Sequence, residues 1–366
     1  MLPRTGPITF ERYMELCLYH PEYGYYTQGS ERTGAAGDYF TSADLHPVFA
    51  RLVAREAAEM WSSMGRPPHF TWVEMGAGRG IFAADFLRWT DGALPEFAAA
   101  LDYIVVEPGQ RQRERIAARL TEAGLAGKVR ALANLEELDS VTGCFFSNEL
   151  VDAFPVSVVT RTGGRLREIY VSARDGRLGE MPGPISDSAV AGYAARYAPQ
   201  LEEGCRMEVN RPAPAWMRTV AAKLASGYLL TIDYGDLAGR LFTPDRPRGT
   251  LLAYRGHTAS EDFFTSPGET DLTAHVNFSA LIDTGNAHGL DFVGLTTQEK
   301  FLLALGEANQ FADVYDPGQT EAERLNARLK LKRLISPEGM GNIFKVLVQQ
   351  RAVPKAQLTG WKFERP

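Results

Sequence analysis

Residues 72–80 read Trp-Val-Glu-Met-Gly-Ala-Gly-Arg-Gly, an apolar run carrying Glu74 and followed by Gly76, Ala77, Gly78 and Gly80. This is the pattern of a buried strand that breaks into a glycine turn and opens a helix. Without a Cβ the backbone turns sharply and approaches a ligand closely, so the turn suits a nucleotide-like cofactor. The spacing is G-x-G-x-G, not the G-x-G-x-x-G of dinucleotide-binding folds. A plain strand–helix connection would also accommodate it. A second apolar run, Leu101 to Pro108, closes on Glu107-Pro108. A carboxylate at the end of a second strand can accept both hydroxyls of a ribose. Alternatively, Glu107 complements the positive end of the helix expected to follow it.

Those residues must be positioned by an ordinary globular chain. Of its 366 residues, 45% are hydrophobic and 23% charged, and the net charge is −6. No run of five or more lysines and arginines occurs, so the electrostatic footprint of a nucleic-acid binder is missing. Cys17, Cys144 and Cys205 are scattered without close pairing, which fits neither a zinc site nor a disulfide framework, and no metal is expected. No apolar stretch approaches the roughly 18 residues of a membrane helix, and residues 1–9 lack the features of a secretory signal. A reducing, cytoplasmic location is the expectation, with monomer and homodimer both open.

Periodicity places helices at 8–19 and 47–64, with a long loop at 20–45 containing Tyr23, Tyr25, Tyr26 and Tyr39. Strands are then expected at 70–75, 102–107, 128–132, 142–147, 227–233, 290–296 and 343–349, alternating with helices. Such alternation predicts an α/β fold with a doubly wound, mostly parallel seven-stranded sheet. Residues 156–180 break the rhythm with Thr162-Gly163-Gly164 and Asp175-Gly176, which read as β-hairpin turns. The expected organisation is a helical and lid-like extension at 1–65, a core at 66–155 and 205–350, a β-rich insertion at 156–204, and a loose tail at 351–366.

Several islands, taken in order along nearly the whole chain, resemble one family. They are Tyr19-His-Pro-Glu-Tyr-Gly-Tyr-Tyr26, Gly37-Asp-Tyr-Phe-Thr-Ser42, Glu74-Met-Gly-Ala-Gly-Arg-Gly80 and Asn148-Glu-Leu-Val-Asp-Ala-Phe-Pro155. Ile232-Asp-Tyr-Gly235, Arg255-Gly-His257, Asp271-Leu-Thr-Ala-His-Val276 and Met340-Gly-x-x-Phe-Lys345 continue the series. The chain is similar to the MidA-type class I methyltransferases, which include mitochondrial complex I assembly methyltransferases. The resemblance implies a Rossmann-like fold, S-adenosyl-L-methionine as cofactor, and arginine of a protein substrate as acceptor. Four positions depart from the family pattern: Ala77 replaces a proline, Asp44 a glutamate, Arg51 a glutamate, and Asn277 an aspartate.

Methyl transfer from a sulfonium is an in-line displacement that needs alignment more than acid–base chemistry, and positioning supplies up to roughly 7–11 kcal/mol of a barrier in ideal cases. In such a fold the methyl emerges at the carboxyl ends of the strands, so Asn148, Glu149 and Asp152 should face it. Carboxylates grip a planar guanidinium in a fork and stabilise its developing charge. Glu149, supported by Asp152, is therefore the expected arginine clamp, although all three residues would also cap a helix starting there. Asn148 is counted to the cofactor as well. Gly37 and Asp38 are expected to meet the cofactor's amino group or the substrate cation, though Asp after Gly is also a turn pair. Asn134 and Leu135 are expected against the adenine, with a helix N-cap as the other role of Asn134. Tyr26 and His257 are assigned to the substrate, although buried aromatics and loop histidines more commonly serve structure. A small-molecule acceptor, or an assembly protein with a vestigial cofactor site, are the alternative functions.

Overall fold

Six consecutive residues, Phe70–Met75, are apolar except for Thr71 and Glu74 and are nearly all buried. Burial on both faces is the condition of a central strand in a parallel sheet covered by helices. In the computed structural model, which describes residues 6–28 and 41–363, that sheet has eight strands among the described residues, seven on its main path and a short one, Val276–Asn277, paired parallel to Gly235 and Asp236. The seven are β1 (Phe70–Met75), β2 (Leu101–Val106), β3 (Val129–Leu132), β4 (Val141–Asn148), β5 (Leu224–Asp236), β6 (Asp291–Thr297) and β7 (Phe344–Arg351). Their spatial order is β6-β7-β5-β4-β1-β2-β3. β7 runs antiparallel to both β5 and β6, and the remaining pairs are parallel. The strand order reverses between β1 and β4. At such a switch point the connections leave to opposite sides and open a crevice at the strands' carboxyl ends.

Alternate residues of each strand point to one face. Trp72, Tyr103, Phe146, Tyr228 and Val346 share a core with Phe49 and Val53 of the helix Val48–Ser63, Phe82 and Phe86 of Ile81–Ala93, and Phe301 of Gln298–Glu307. Its centre is aromatic, with Trp72 5.0 Å from Phe86 and Phe82 4.6 Å from Phe146 between ring centroids. Such rings bury large apolar areas and pack in preferred geometries.

The chain divides into two units. One comprises Met1–Tyr39, Val151–Met217 and Gly235–Thr284; the other comprises Phe40–Leu150, Arg218–Tyr234 and Gly285–Pro366 and holds the seven main strands except the end of β5. The first unit contains an antiparallel five-stranded sheet with the path Ile8–Thr9, Arg165–Arg174, Ser157–Thr162, Arg206–Val209, and Arg177–Gly183 beside Arg165–Arg174. Its hairpins turn at Gly163-Gly164 and Asp175-Gly176, all four with positive φ, the left-handed pair that two-residue hairpins require.

Three boundaries differ from the sequence expectation. The helix Val48–Ser63 belongs to the sheet unit, because its apolar face completes that core. The β-rich region is wider than an insertion at 156–204, since Ile8–Thr9 and Arg206–Val209 pair into the same sheet and Gly235–Thr284 joins that unit. Nor are residues 351–363 loose. Leu358 and Trp361 are 2% and 7% exposed, Trp361 lies 5.2 Å from Phe301, and Thr359 and Gly360 donate backbone N–H bonds to Glu59 and Glu56 of the helix Val48–Ser63. The two apolar residues lie among polar ones without periodicity, so local pattern concealed their burial. Replacing Trp361 with alanine should destabilise the protein by roughly 3–5 kcal/mol, measured by denaturant unfolding. A loss below about 1 kcal/mol would show that the C-terminal segment does not share the core.

Candidate active site

At the end of β1 the chain passes through Gly76, Gly78 and Gly80 with φ of 73°, 52° and 71°. Gly76 extends the strand ladder, its N–H donating to Val106 O at 3.0 Å. A Cβ there would stand 2.8 Å from Cδ1 at the tip of the Leu150 side chain, and the left-handed φ favours glycine at this position. At Gly78, by contrast, nothing lies within 4 Å of where a Cβ would project, and the residue is exposed. Ala77 is buried between them, and Gly80 leads into the helix Ile81–Ala93. The left-handed turn with open space over Gly78 is a cradle into which a ligand can descend onto backbone.

Two acids stand below and beside this turn. Glu74 is 4% exposed and accepts the Tyr103 hydroxyl at 2.7 Å. Burial pushes its carboxyl up to about 7, opposed by the Tyr103 bond and aided by the charge of Glu107. Burial also raises Tyr103 well above its ordinary value, so it remains a donor. Glu107 is half-buried at the end of β2 and accepts Gly109 N–H at 3.1 Å. Burial raises its carboxyl, while the Gly109 bond and the Arg113 guanidinium pull it down. Pro108 is exposed beside it. Asn134 is exposed, and its side chain accepts Glu137 N–H at 3.2 Å as the cap of the turn Leu135–Glu137. Its oxygen thus serves the cap, the alternative role foreseen for it; Leu135 is half-buried.

The end of β4 is tied down from several directions. Glu149 N–H donates to Ile232 O at 2.9 Å, extending the ladder to β5. Its φ is 52°, a left-handed conformation uncommon outside glycine that is stored where surroundings over-determine it. Asp233, fully buried, supplies part of that constraint by accepting Leu150 N–H at 3.2 Å and Tyr234 N–H at 2.9 Å. The Glu149 Oε1 atom accepts Ser42 N–H at 2.9 Å and Asn148 Nδ2 at 3.1 Å. No helix starts at Asn148; the chain turns irregularly through residues 149–154. Glu149 instead receives the amide of Ser42, the first residue of the short helix Ser42–Leu45.

Glu74, Gly76, Ala77, Gly78, Gly80, Glu107, Pro108, Asn134, Leu135, Asn148 and Glu149 all belong to the sheet unit, at or just beyond the carboxyl ends of β1 to β4. Asp152, Tyr26 and His257 belong to the other unit. There the Tyr26 hydroxyl donates to buried Asp271 at 2.9 Å, joining two islands far apart in sequence. Asp152 is buried, and its carbonyl accepts Ala274 N–H at 3.0 Å. His257 is exposed in a hairpin turn with Gly256, both with positive φ. Gly37 and Asp38 lie outside the described residues. Sequence reasoning gave no site role to Ser42, Arg79 and Asp233, which lie in the quoted islands, nor to Asp44, which it marked only as a departure from the family pattern. Asp44 pairs with Arg79 of the glycine turn at 2.5 Å and accepts Thr41 N–H at 3.1 Å. Only Asp233 carried a local signal, as an acid ending an apolar strand.

The departures from the family pattern have partners inside the chain. Arg51 pairs with Asp316 at 2.6 Å and donates to Asp313 O at 2.7 Å, and Asn277 donates to the Tyr193 hydroxyl at 3.0 Å. Asp44 is held by Arg79, and the buried Oδ1 of Asn277 has no hydrogen-bond partner among the described residues.

Comparison with known proteins adds an independent line. A family model described as S-adenosyl-L-methionine-dependent methyltransferases matches residues 52–296. A curated relative from Danio rerio, named protein arginine methyltransferase NDUFAF7, mitochondrial, is 27% identical over 97% of this chain and 86% of its own length. The Homo sapiens protein of that name is 25% identical over 99% of this chain and 83% of its own. A solved structure of a COG1565 superfamily member from Burkholderia thailandensis, bound to S-adenosyl-homocysteine, is 34% identical with a TM-score of 0.86, covering 98% of this chain and 91% of that one. The cytoplasmic location expected from the sequence is overturned by the curated relatives, which are named as mitochondrial proteins. The thiol argument behind it required only a reducing compartment, which the cytoplasm does not monopolise.

Two outcomes follow from the acids. A buried carboxyl raised from 4.5 to about 7 costs no stability below pH 4.5, a growing amount up to about 7, and a constant amount beyond, roughly 3 kcal/mol in all. Glu74→Gln keeps an acceptor for Tyr103, so its stability should match wild type near pH 4.5 and exceed it at pH 8; denaturant midpoints that track each other at both values would refute the raised carboxyl. Glu107→Ala should weaken S-adenosyl-homocysteine binding by roughly tenfold to a hundredfold, the worth of hydrogen bonds to a charged acceptor. An unchanged dissociation constant by calorimetry would remove Glu107 from the cofactor site.

Proposed function

The chain belongs to the family of S-adenosyl-L-methionine-dependent methyltransferases, and from that premise we propose that its acceptor is an arginine nitrogen of a protein substrate. The observation that carries this reading is the Glu149 carboxylate, set at the end of β4 in a left-handed backbone and oriented by Ser42 and Asn148. The curated relatives are named protein arginine methyltransferases, which supports the same acceptor class.

The open cradle over Gly78, the acid at the end of β2 and the buried acceptor Oδ1 of Asn148, which has no partner among the described residues, fit the cofactor. Gly76 to Gly80 would hold its amino-acid part and Glu107 its ribose. When bound, S-adenosyl-L-methionine supplies an electrophilic methyl group on a sulfonium. Glu149 then has two tasks. Its negative charge fixes a guanidinium and raises electron density at the attacking nitrogen. Glu149 would stabilise the positive charge that builds on the attacking nitrogen as it gains the methyl group, and the proton this nitrogen gives up would pass by way of the Glu149 carboxylate to solvent. The bonds from Ser42 and Asn148 pre-orient the carboxylate, so little reorganisation accompanies the reaction.

Methyl-labelled S-adenosyl-L-methionine, incubated with the purified protein and a desalted extract of its source, tests this. Label should enter one or a few protein bands and be recovered as methylarginine after hydrolysis. Glu149→Gln keeps an acceptor for Ser42 but loses the charge; it should lower incorporation at least about a hundredfold, the scale of losing one electrostatic stabiliser, while cofactor affinity changes little. Cofactor binding without protein label would overturn the protein acceptor, and undiminished label with Glu149→Gln would overturn the clamp.

A further inference from the structure

Gln298 opens the helix Gln298–Glu307, directly after its N-cap Thr297, and is fully buried, although glutamine ordinarily faces water. Both ends of its amide are used. Nε2 donates to Leu334 O at 3.1 Å, and Oε1 accepts the Ser42 hydroxyl at 3.1 Å. A carbonyl can only accept, so Nε2 must face Leu334 and Oε1 must face Ser42, and the Ser42 hydroxyl is committed as a donor. The Ser42 N–H is committed too, to Glu149 Oε1 at 2.9 Å. Ser42, itself fully buried, is thus held by Gln298 at one atom and holds Glu149 with another.

The relay joins distant parts of the chain. Ser42 lies 256 positions before Gln298 and 107 before Glu149, and Leu334 lies 36 after Gln298. The bond to Leu334 has a structural use, because the last carbonyls of a helix such as Glu321–Ile335 find no partner within it. That use needs only the amide N–H. The buried Oε1 demands a donor of its own, and it takes one from the residue whose backbone orients the acceptor carboxylate. We propose that Gln298 is a positioning residue for methyl transfer, fixing the Glu149 carboxylate through Ser42 while the end of the helix Glu321–Ile335 fixes Gln298. Without Oε1 the buried Ser42 hydroxyl loses its acceptor and must turn to another, which moves the N–H that Glu149 accepts. Misplacement of about an ångström at a reacting group can cost roughly a hundredfold in rate. The inference rests on the role of Glu149 given above.

A mutant cycle on the rate of methylarginine labelling, at saturating S-adenosyl-L-methionine and per folded protein, tests it. Gln298→Met should lower the rate about tenfold and leave the S-adenosyl-homocysteine dissociation constant, read by calorimetry, unchanged. Added to Glu149→Gln, it should lower the rate no further, because the charge it positions is already gone. Equal losses in both backgrounds would show that Gln298 serves the fold without acting through Glu149. A full rate for Gln298→Met, or cofactor affinity falling in step with the rate, would show that the carboxylate does not depend on it; each of these overturns the inference. Ser42→Ala removes the hydroxyl and keeps the N–H. It should slow labelling as Gln298→Met does, with the double variant no worse than either, and it carries the test where Gln298→Met does not fold or Glu149→Gln falls below detection. A full rate for Glu149→Gln alone would defeat the acceptor reading and this inference with it. A slowed Glu149→Gln whose loss multiplies with that of Gln298→Met would defeat this inference alone.

Discussion

The parallel pairing of β1 with β4 is the constraint on which the rest of the site depends. The strand order reverses at this pair, the kind of position where folds of this class open a crevice at the strands' carboxyl ends. Close packing must still be achieved there, and Leu150 achieves it by lying over Gly76, where a Cβ would stand only 2.8 Å away. The left-handed φ is what favours glycine there. Two residues further along the turn, nothing lies within 4 Å of where a Cβ of Gly78 would project. The contrast separates a glycine that serves the fold from one that leaves room for a ligand.

Around that crevice the charges are arranged in two layers. Below, Glu74 is buried against Tyr103 and raised by desolvation, a carboxyl whose environment favours the neutral form. Glu149 instead accepts Ser42 N–H and the Asn148 amide. Two glutamates at the ends of adjacent strands thereby meet different surroundings. The segment Thr41–Asp44 contributes a backbone amide to Glu149 and a carboxylate to Arg79. A few residues of irregular chain bind the cofactor turn and the β4 end into one rigid body of hydrogen bonds.

Two departures from the family pattern are compensated within the chain. Arg51 reverses a charge, yet it meets Asp316 and the Asp313 carbonyl, so the reversal is compensated within the chain. Asp44 is one methylene shorter than the family's glutamate, yet it reaches Arg79 and caps its own helix. Changes with internal partners bear first on how the scaffold is held.

By itself the sequence determined the alternation of strands and helices, the seven strands within a few residues of their observed ends, the hairpin turns, and the glycine turn with its acids. These are local matters: periodicity, β-propensity, and the backbone freedom of glycine, each readable within a window of a dozen residues. Only the tertiary structure decided that the Glu149 region is an irregular left-handed turn instead of a helix start, because Ile232, Asp233 and Ser42 impose it from distant parts of the chain. The same holds for Arg79, whose ion pair with Asp44 spans 35 positions, and for Trp361, whose place in the core is set by a helix sixty residues earlier. A hydrogen bond or a packed ring has no period, and its partner's identity exists only once the strands have been ordered.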